Sequence, residues 1–196
     1  MSKRLIIMRH GQTDWNVENR FQGHTDIPLN AIGRAQVARA ASILASQDID
    51  HIISSDLQRA FDTAAAVAAV TKLKVVADPQ LRETHCGNWE GRTGPDIEAS
   101  DGENLSRWFA GEDIPAGGDG ERRSDVAKRA TEAIYEALDG KINHTLVVAT
   151  HGGTARCIIG SLLNLPMNTW GSIGGLANAA WSILSSTPRG WNLVEH

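Results

Sequence analysis

Short apolar runs alternate along the chain with longer segments in which apolar residues recur every three or four positions. This alternation is typical of a mostly parallel sheet covered by helices, and it predicts an α/β fold. The short runs predict strands at residues 5–8, 51–54, 75–77, 145–150 and near 180–184.

The longer segments predict four helices. Apolar residues between 126 and 138 form one stripe with Ser124 as its expected cap, and those between 155 and 163 form a second that ends at Asn164 and Pro166. A third helix follows Asn30, and a fourth covers the alanine-rich segment DLQRAFDTAAAVAAV. Residues 91–123 are the least regular, and we interpret them as a lid-like insertion. A surface loop without a function is the alternative.

Composition narrows the class of protein. A chain of 196 residues favours one domain, and its net charge of -4 gives no general basic field of the kind that binds nucleic acid. No apolar run approaches the ~20 residues of a membrane helix. The two cysteines, Cys86 and Cys157, match neither a metal spacing nor a disulfide framework, which favours a cytoplasmic location. We expect no nucleic-acid partner and no membrane contact.

Three predicted strands run directly into cations or imidazoles. Arg9 and His10 follow the strand in LIIMRHG, and His151 follows the strand in TLVVATHGG. In HIISSDLQR the residue is Arg59, which lies in the first turn of the helix after the strand. In open α/β sheets ligands bind outside the carboxyl ends of the strands, where helix N-termini offer free N–H groups. We therefore expect the three segments to form one pocket that binds a dianion.

Phosphate fits such a pocket, because a guanidinium forks onto two phosphate oxygens and glycine lets the backbone come close. Gly11, Gly152 and Gly153 meet the second need. One neutral imidazole can attack phosphorus, and another can bind the oxygens whose charge changes in the transition state. The leaving alkoxide needs an acid. In LRETHCGNWEG we favour Glu83, with Glu90 as the competing choice.

A metal site built from His10, His85 and His151 is a rival interpretation. Arg9 and Arg59 would repel a dication there, and the chain has no H-x-H or HExxH spacing. We therefore expect no metal and no other cofactor.

Four segments in order, LIIMRHGQTDWNVENRFQGHTDIPLNAIGRAQ, SSDLQRAFDTA, LRETHCGNWEG and VVATHGG, resemble the histidine phosphatase superfamily, also called the phosphoglycerate-mutase-like family. The resemblance implies a single domain over 1–196, a three-layer α/β/α sandwich around a mixed sheet, and a phosphohistidine on His10. The catalytic residues that it implies are His10, Glu83 as proton donor, His151, Arg9 and Arg59. The substrate-binding residues that it implies are Arg9, Asn16, Gln22, Arg59 and Gly152.

The branch follows from a departure from the family pattern. Mutases of this family typically carry ERHYG after the proton donor, whereas Thr84 and Cys86 stand here in place of the arginine and tyrosine. This departure favours a phosphatase. LRETHCGNWEG and GGLANAAWSIL resemble the actinobacterial glucosyl-3-phosphoglycerate phosphatases, which implies a phosphorylated sugar acid as substrate. A cofactor-dependent phosphoglycerate mutase and a broad-specificity sugar phosphatase are the alternatives.

The chain has six tryptophans against three Phe and one Tyr. Trp89 and Trp108 flank the expected lid, where an indole can stack on a sugar, although ordinary core packing is the simpler interpretation. The tryptophans and the segment MNTWGSIGG are also candidates for a homodimer contact.

Overall fold

The computed structural model describes residues 2–196 and contains one six-stranded mixed sheet. The strands are β1 (Arg4–Arg9), β2 (His51–Ser54), β3 (Val75–Ala77), β4 (Thr145–Thr150), β5 (Trp181–Thr187) and β6 (Gly190–Glu195). Their order across the sheet is β3-β2-β4-β1-β5-β6. The first four are parallel to one another, and β5 and β6 add antiparallel strands at one edge. The mostly parallel mixed sheet is therefore confirmed.

The helices are α1 (Asp14–Val17), α2 (Ala31–Leu44), α3 (Gln58–Thr71), α4 (Gly94–Phe109), α5 (Arg123–Ala137) and α6 (Gly152–Leu162). Short 3-10 helices lie at Pro79–Leu81, Gly87–Trp89 and Met167–Ser172. Within residues 2–196, none of these helices has the length and apolar character needed to cross a bilayer.

Helices cover both faces of the sheet and bury the apolar side chains on both sides of β1. Leu5 and Ile7 pack in a core with residues of α5 and α6, whereas Ile6 and Met8 pack in a second core with residues of α2 and α3. All four side chains are fully buried. A central parallel strand is a continuous apolar run for this reason, and the result is a three-layer α/β/α sandwich.

Most predicted boundaries agree with the structure. The two corrections are the cap of one helix and a strand that was not predicted. Asn30 caps α2 by accepting a hydrogen bond from the N–H of Gly33 at 2.8 Å. The predicted cap of α5 was wrong: Arg122 occupies that position, and Ser124 lies inside the helix and donates to Asp113. Strand β6 was not predicted. It is an edge strand whose Val194 remains 64% exposed, so burial imposes no clear pattern on it.

Residues 91–123 contain a long helix that the sequence did not reveal. Helix α4 begins at a capping box made by Thr93 and Asp96 and bends at Asp101. It packs on a small core of its own, whose buried members are Cys86, Trp89, Ile97, Leu105, Trp108 and Ala116. The alternative for this segment, a surface loop, is therefore wrong, because the segment is helical and has a core of its own. Its motion as a lid stays a prediction.

Candidate active site

The residues predicted from the strand ends meet in one pocket of about 550 Å³. Eight of the expected side chains and glycines line it: Arg9, His10, Asn16, Gln22, Arg59, Glu83, Gly152 and Gly153. His151 lies directly behind this wall, fully buried, with its ring centroid 5.2 Å from that of His10. Residues distant in sequence are therefore brought together, as the strand topology predicts.

His10 is held as a neutral imidazole with one nitrogen available. The residue follows β1 and is 3% exposed. Its Nδ1 lies 2.7 Å from the carbonyl oxygen of Gly11, and because that oxygen can only accept, Nδ1 carries the proton. Burial, followed by the charges of Arg59 and Arg9, lowers the pKa of His10 well below its usual value. The unprotonated Nε2 therefore keeps its lone pair.

His151 is also neutral, and the protein uses both of its ring nitrogens. Nδ1 accepts from Nε of Arg59 at 3.2 Å, which leaves the proton on Nε2, where it is donated to Ser55 Oγ at 2.9 Å. Burial, followed by the charge of Arg59, lowers the pKa of His151 well below its usual value. To bind a phosphate oxygen, His151 Nε2 has to exchange its partner Ser55 for that oxygen.

Arg59 is fully buried and organises the loop opposite His10. Its Nη1 donates to the carbonyl of Thr25 and its Nη2 to the carbonyl of Gly23, each at 2.8 Å. Burial lowers the pKa of Arg59, and the nearby carboxylate of Glu83 opposes that effect. Since each terminal nitrogen carries two protons, one N–H on each remains for a ligand.

Arg9 ends β1 and has a buried donor without a partner. Its Nη1 donates to the carbonyl of Leu176 at 2.7 Å, whereas its Nε is buried and unpaired within residues 2–196. Burial lowers the pKa of Arg9, again opposed by Glu83. A buried, unpaired guanidinium N–H in a pocket indicates a place for an anionic oxygen.

The Glu83 carboxylate is hydrogen-bonded to the N-terminus of α6. Its oxygens accept hydrogen bonds from the N–H groups of Thr84, Gly153 and Thr154, at 2.9 to 3.0 Å, and from the hydroxyl of Thr154 at 3.2 Å. The N–H of Gly152 is left for a ligand at the same helix end. This arrangement holds the carboxyl group at the pocket wall beside the place for the phosphate.

Glu90, the competing acid, serves a different purpose. It does not line the pocket, and its carboxylate accepts hydrogen bonds from the N–H groups of His24, Thr25 and Cys86 and from the Thr25 hydroxyl. Burial acts to raise the pKa of Glu90, but these hydrogen bonds outweigh it and hold the pKa below its usual value. Glu90 therefore stabilises the Gly23–Thr25 turn, whereas Glu83 lines the pocket.

Two amides present donors to the pocket. The side-chain oxygen of Asn16 accepts from the N–H of Thr13 at 3.0 Å and from the NH₂ of Asn178 at 3.1 Å, and that of Gln22 accepts from the Thr13 hydroxyl at 3.1 Å. Since both oxygens are occupied, the NH₂ groups remain for a ligand. This geometry agrees with the expected role of Asn16 and Gln22 in binding.

The pocket also contains residues that the sequence analysis did not identify. Asn178 donates to the carbonyl of His10 and to Asn16, and so fixes both from the segment before β5. Trp15 and Arg156 also line the pocket. The only available signal was the segment GGLANAAWSIL, which contains Asn178 and was singled out for its resemblance.

The rival metal site is not assembled. His85 lies beside His24, with ring centroids 5.1 Å apart, and does not line the pocket with His10. Within residues 2–196, no three His, Cys, Asp or Glu side chains are placed to hold a metal ion. Both cysteines are free and buried.

Comparison with known proteins agrees with this geometry. The model of the histidine phosphatase superfamily (branch 1) matches residues 5–196. A glucosyl-3-phosphoglycerate phosphatase of Mycobacterium tuberculosis is 38% identical over 193 residues, which cover 94% of this chain and 86% of that protein. Phosphoglycerate mutase-like protein 4 of Arabidopsis thaliana is 38% identical over 159 residues, which cover 79% of this chain and 68% of that protein.

A solved structure is similar throughout. The mycobacterial glucosyl-3-phosphoglycerate phosphatase in complex with VO3 superposes with a TM-score of 0.88 at 37% sequence identity, covering 97% of this chain and 96% of that one.

Proposed function

The chain belongs to branch 1 of the histidine phosphatase superfamily, and on that premise we propose that it is a phosphoric monoester hydrolase working through a phosphohistidine on His10. The observation that carries the proposal is the state of His10: its ring is neutral, Nδ1 is fixed on the carbonyl of Gly11, and Nε2 is free at the pocket. Such a nitrogen is a competent nucleophile for phosphorus.

The first step transfers the phosphoryl group to the protein. Nε2 of His10 attacks phosphorus in line with the ester oxygen, the P–O bond to the leaving group breaks, and that oxygen takes a proton from Glu83. Arg9, Arg59 and the amides of Asn16 and Gln22 bind the remaining phosphoryl oxygens, whose charge changes in the transition state.

The second step restores the enzyme. Glu83, now ionised, removes a proton from a water molecule, which attacks phosphorus as the P–N bond to His10 breaks. The products are inorganic phosphate and the neutral imidazole. The protein supplies cations through arginine, so the proposed reaction requires no metal ion.

We propose a phosphorylated sugar acid such as glucosyl-3-phosphoglycerate as the substrate. The support comes from the mycobacterial relatives of that name and from the pocket position held by Cys86. Burial raises the pKa of the Cys86 thiol, so the side chain is neutral where a mutase would offer a polar or charged group. This favours release of phosphate over its return to the substrate.

The product of the reaction distinguishes the alternatives. With 3-phosphoglycerate and a chelator present, we expect inorganic phosphate to accumulate without formation of the 2-phospho isomer. His10→Ala should reduce phosphate release at least ~10⁴-fold while the circular dichroism spectrum is unchanged. An isomeric phosphoester as main product would favour the mutase, and full activity of His10→Ala would refute the mechanism.

A cytoplasmic location and a homodimer also stay predictions. The free, buried cysteines support the first. Sedimentation of the purified chain tests the second.

A further inference from the structure

Arg156 is a cation at the pocket that takes no part in the two proposed phosphoryl-transfer steps. Arg156 lines the pocket, and its Nε is buried with no hydrogen-bond partner within residues 2–196. None of the ion pairs among those residues includes it. A buried, unpaired donor on a charged group costs free energy unless a partner binds there.

The position of Arg156 relates it to the bound phosphate. The residue lies on α6 one helical turn beyond Gly152, whose N–H faces the phosphate position, and one turn rises about 5.4 Å. Helical side chains lean toward the N-terminus, and neither Gly152 nor Gly153 has a side chain in the way. The guanidinium therefore approaches a group that lies next to the phosphate on the same small molecule.

The surrounding charges leave Arg156 without an internal counterion. Glu83 is the one carboxylate among the pocket-lining residues, and it already accepts three hydrogen bonds from the N-terminus of α6 and one from the N–H of Thr84. Arg123 lies nearby with its guanidinium over the ring of Trp108; burial lowers the pKa of Arg123, and the charge of Arg156 adds to that effect. By contrast, Arg20, another pocket cation, is paired with Glu18.

The loop that contacts Arg156 also contacts the phosphate-binding arginine. A Cβ atom built on Gly175 would lie 3.5 Å from Nη2 of Arg156, and the next residue, Leu176, accepts a hydrogen bond from Arg9. Both guanidinium groups therefore lie beside one loop, and both residues line the pocket. A molecule with two anionic groups close together matches this spacing.

We propose that Arg156 binds a carboxylate carried by the leaving group and so selects phosphoesters of hydroxy acids over neutral phosphoesters. This inference rests on the proposed phosphatase function. A planar guanidinium matches a carboxylate with two parallel hydrogen bonds, a geometry that lysine cannot reproduce.

The test compares two substrates that differ at one group. 3-Phosphoglycerate has a carboxylate where glycerol 3-phosphate has a hydroxymethyl group. We expect Arg156→Gln to lower kcat/KM for 3-phosphoglycerate about 10- to 100-fold, the range for a hydrogen-bonded charge, and for glycerol 3-phosphate less than about 3-fold. Arg156→Lys should recover part of the preference. Arg39→Gln, an exposed change of the same charge on α2, should leave the ratio unchanged.

The outcomes distinguish a failure of this inference from a failure of the proposed phosphatase function. An equal loss on both substrates, or no loss on either, would overturn the role of Arg156 while leaving the phosphatase intact. A wild-type preference for a bisphosphate over 3-phosphoglycerate that Arg156→Gln abolishes would overturn the carboxylate as the bound group. If the wild type and His10→Ala release phosphate from neither substrate, the proposed function itself fails.

Discussion

At the scale of single residues, the protonation state of His10 decides whether the reaction can begin. Because burial and the two arginine charges lower its pKa, the ring stays neutral as the pH falls through 6.5, where an exposed histidine would gain its proton. We therefore predict that kcat/KM for p-nitrophenyl phosphate, corrected for ionisation of the substrate, is unchanged as the pH falls through 6.5 and decreases only at lower pH. A midpoint at or above pH 6.5 would contradict this account of the nucleophile.

Glu83 and Glu90 should respond differently when each is replaced by glutamine. Only a poor leaving group needs the proton, so Glu83→Gln should slow an alkyl phosphate about 10²- to 10⁴-fold and p-nitrophenyl phosphate less than ~10-fold. Glu90→Gln is the matched control. It loosens the turn at Thr25, so both substrates should lose activity equally. Equal losses for Glu83→Gln as well would show that this residue only anchors α6.

The sequence identifies a residue of the site when a motif places it at a strand end. Arg9, His10 and His151 follow apolar runs directly, so their positions could be predicted. Asn178 reaches Asn16 across 162 positions of the chain, and Arg156 lies in the middle of an apolar helix stripe. Their roles depend on packing between distant segments, which no local pattern encodes.

At the scale of elements, α2 supports the backbone that follows the nucleophile. A Cβ atom built on Gly33 would lie 2.1 Å from the carbonyl oxygen of Gln12, so the helix comes closer there than any side chain permits. Gly33→Ala should lower the free energy of unfolding by about 1–3 kcal/mol and also reduce kcat, because the Gln12 backbone must move. Gly171→Ala, where a Cβ meets open space, is the control for urea unfolding. Equal stability of the two variants would contradict the proposed support.

Helices and strands could be predicted where burial requires apolar residues at regular positions along the sequence. The buried strand β4 has the predicted bounds, because apolar side chains are required on both of its faces. Helix α4 buries only Ile97, Leu105 and Trp108 among 16 residues and contains two glycines and a proline, so its stripe is sparse. It covers its own small core outside the sheet. A helix that buries so few residues has only a weak apolar pattern in the sequence, and periodicity alone does not predict it.

At the scale of the whole molecule, the site makes the stability depend on pH. The pKa values of His10 and His151 are lower in the folded chain than the value of about 6.5 in the unfolded chain, so below that pH the unfolded chain binds more protons. Stability should therefore fall as the pH decreases. His24 and His51 act in the same direction.

Urea unfolding at pH 7.5 and 5.5 measures this effect. We expect a loss of about 3 kcal/mol on acidification, since pH 5.5 lies one unit below the unfolded pKa of about 6.5 and each of the two buried histidines contributes up to about 1.4 kcal/mol per unit there. Glu90 and Glu121 have lowered pKa values, so their contributions are lost only at still lower pH. His10→Asn should show a smaller loss, and a stability that is constant or increases at pH 5.5 would contradict the neutral, buried pair.

The most direct measurement for the whole account is the capture of the phosphorylated protein. ³²P-labelled 3-phosphoglycerate is mixed with the chain and quenched in alkali within milliseconds, and the labelled peptide is then mapped. We predict an acid-labile phosphoryl group on His10 that forms before phosphate is released and is missing in His10→Ala. Label on another residue, or phosphate release at the full rate by His10→Ala, would contradict it.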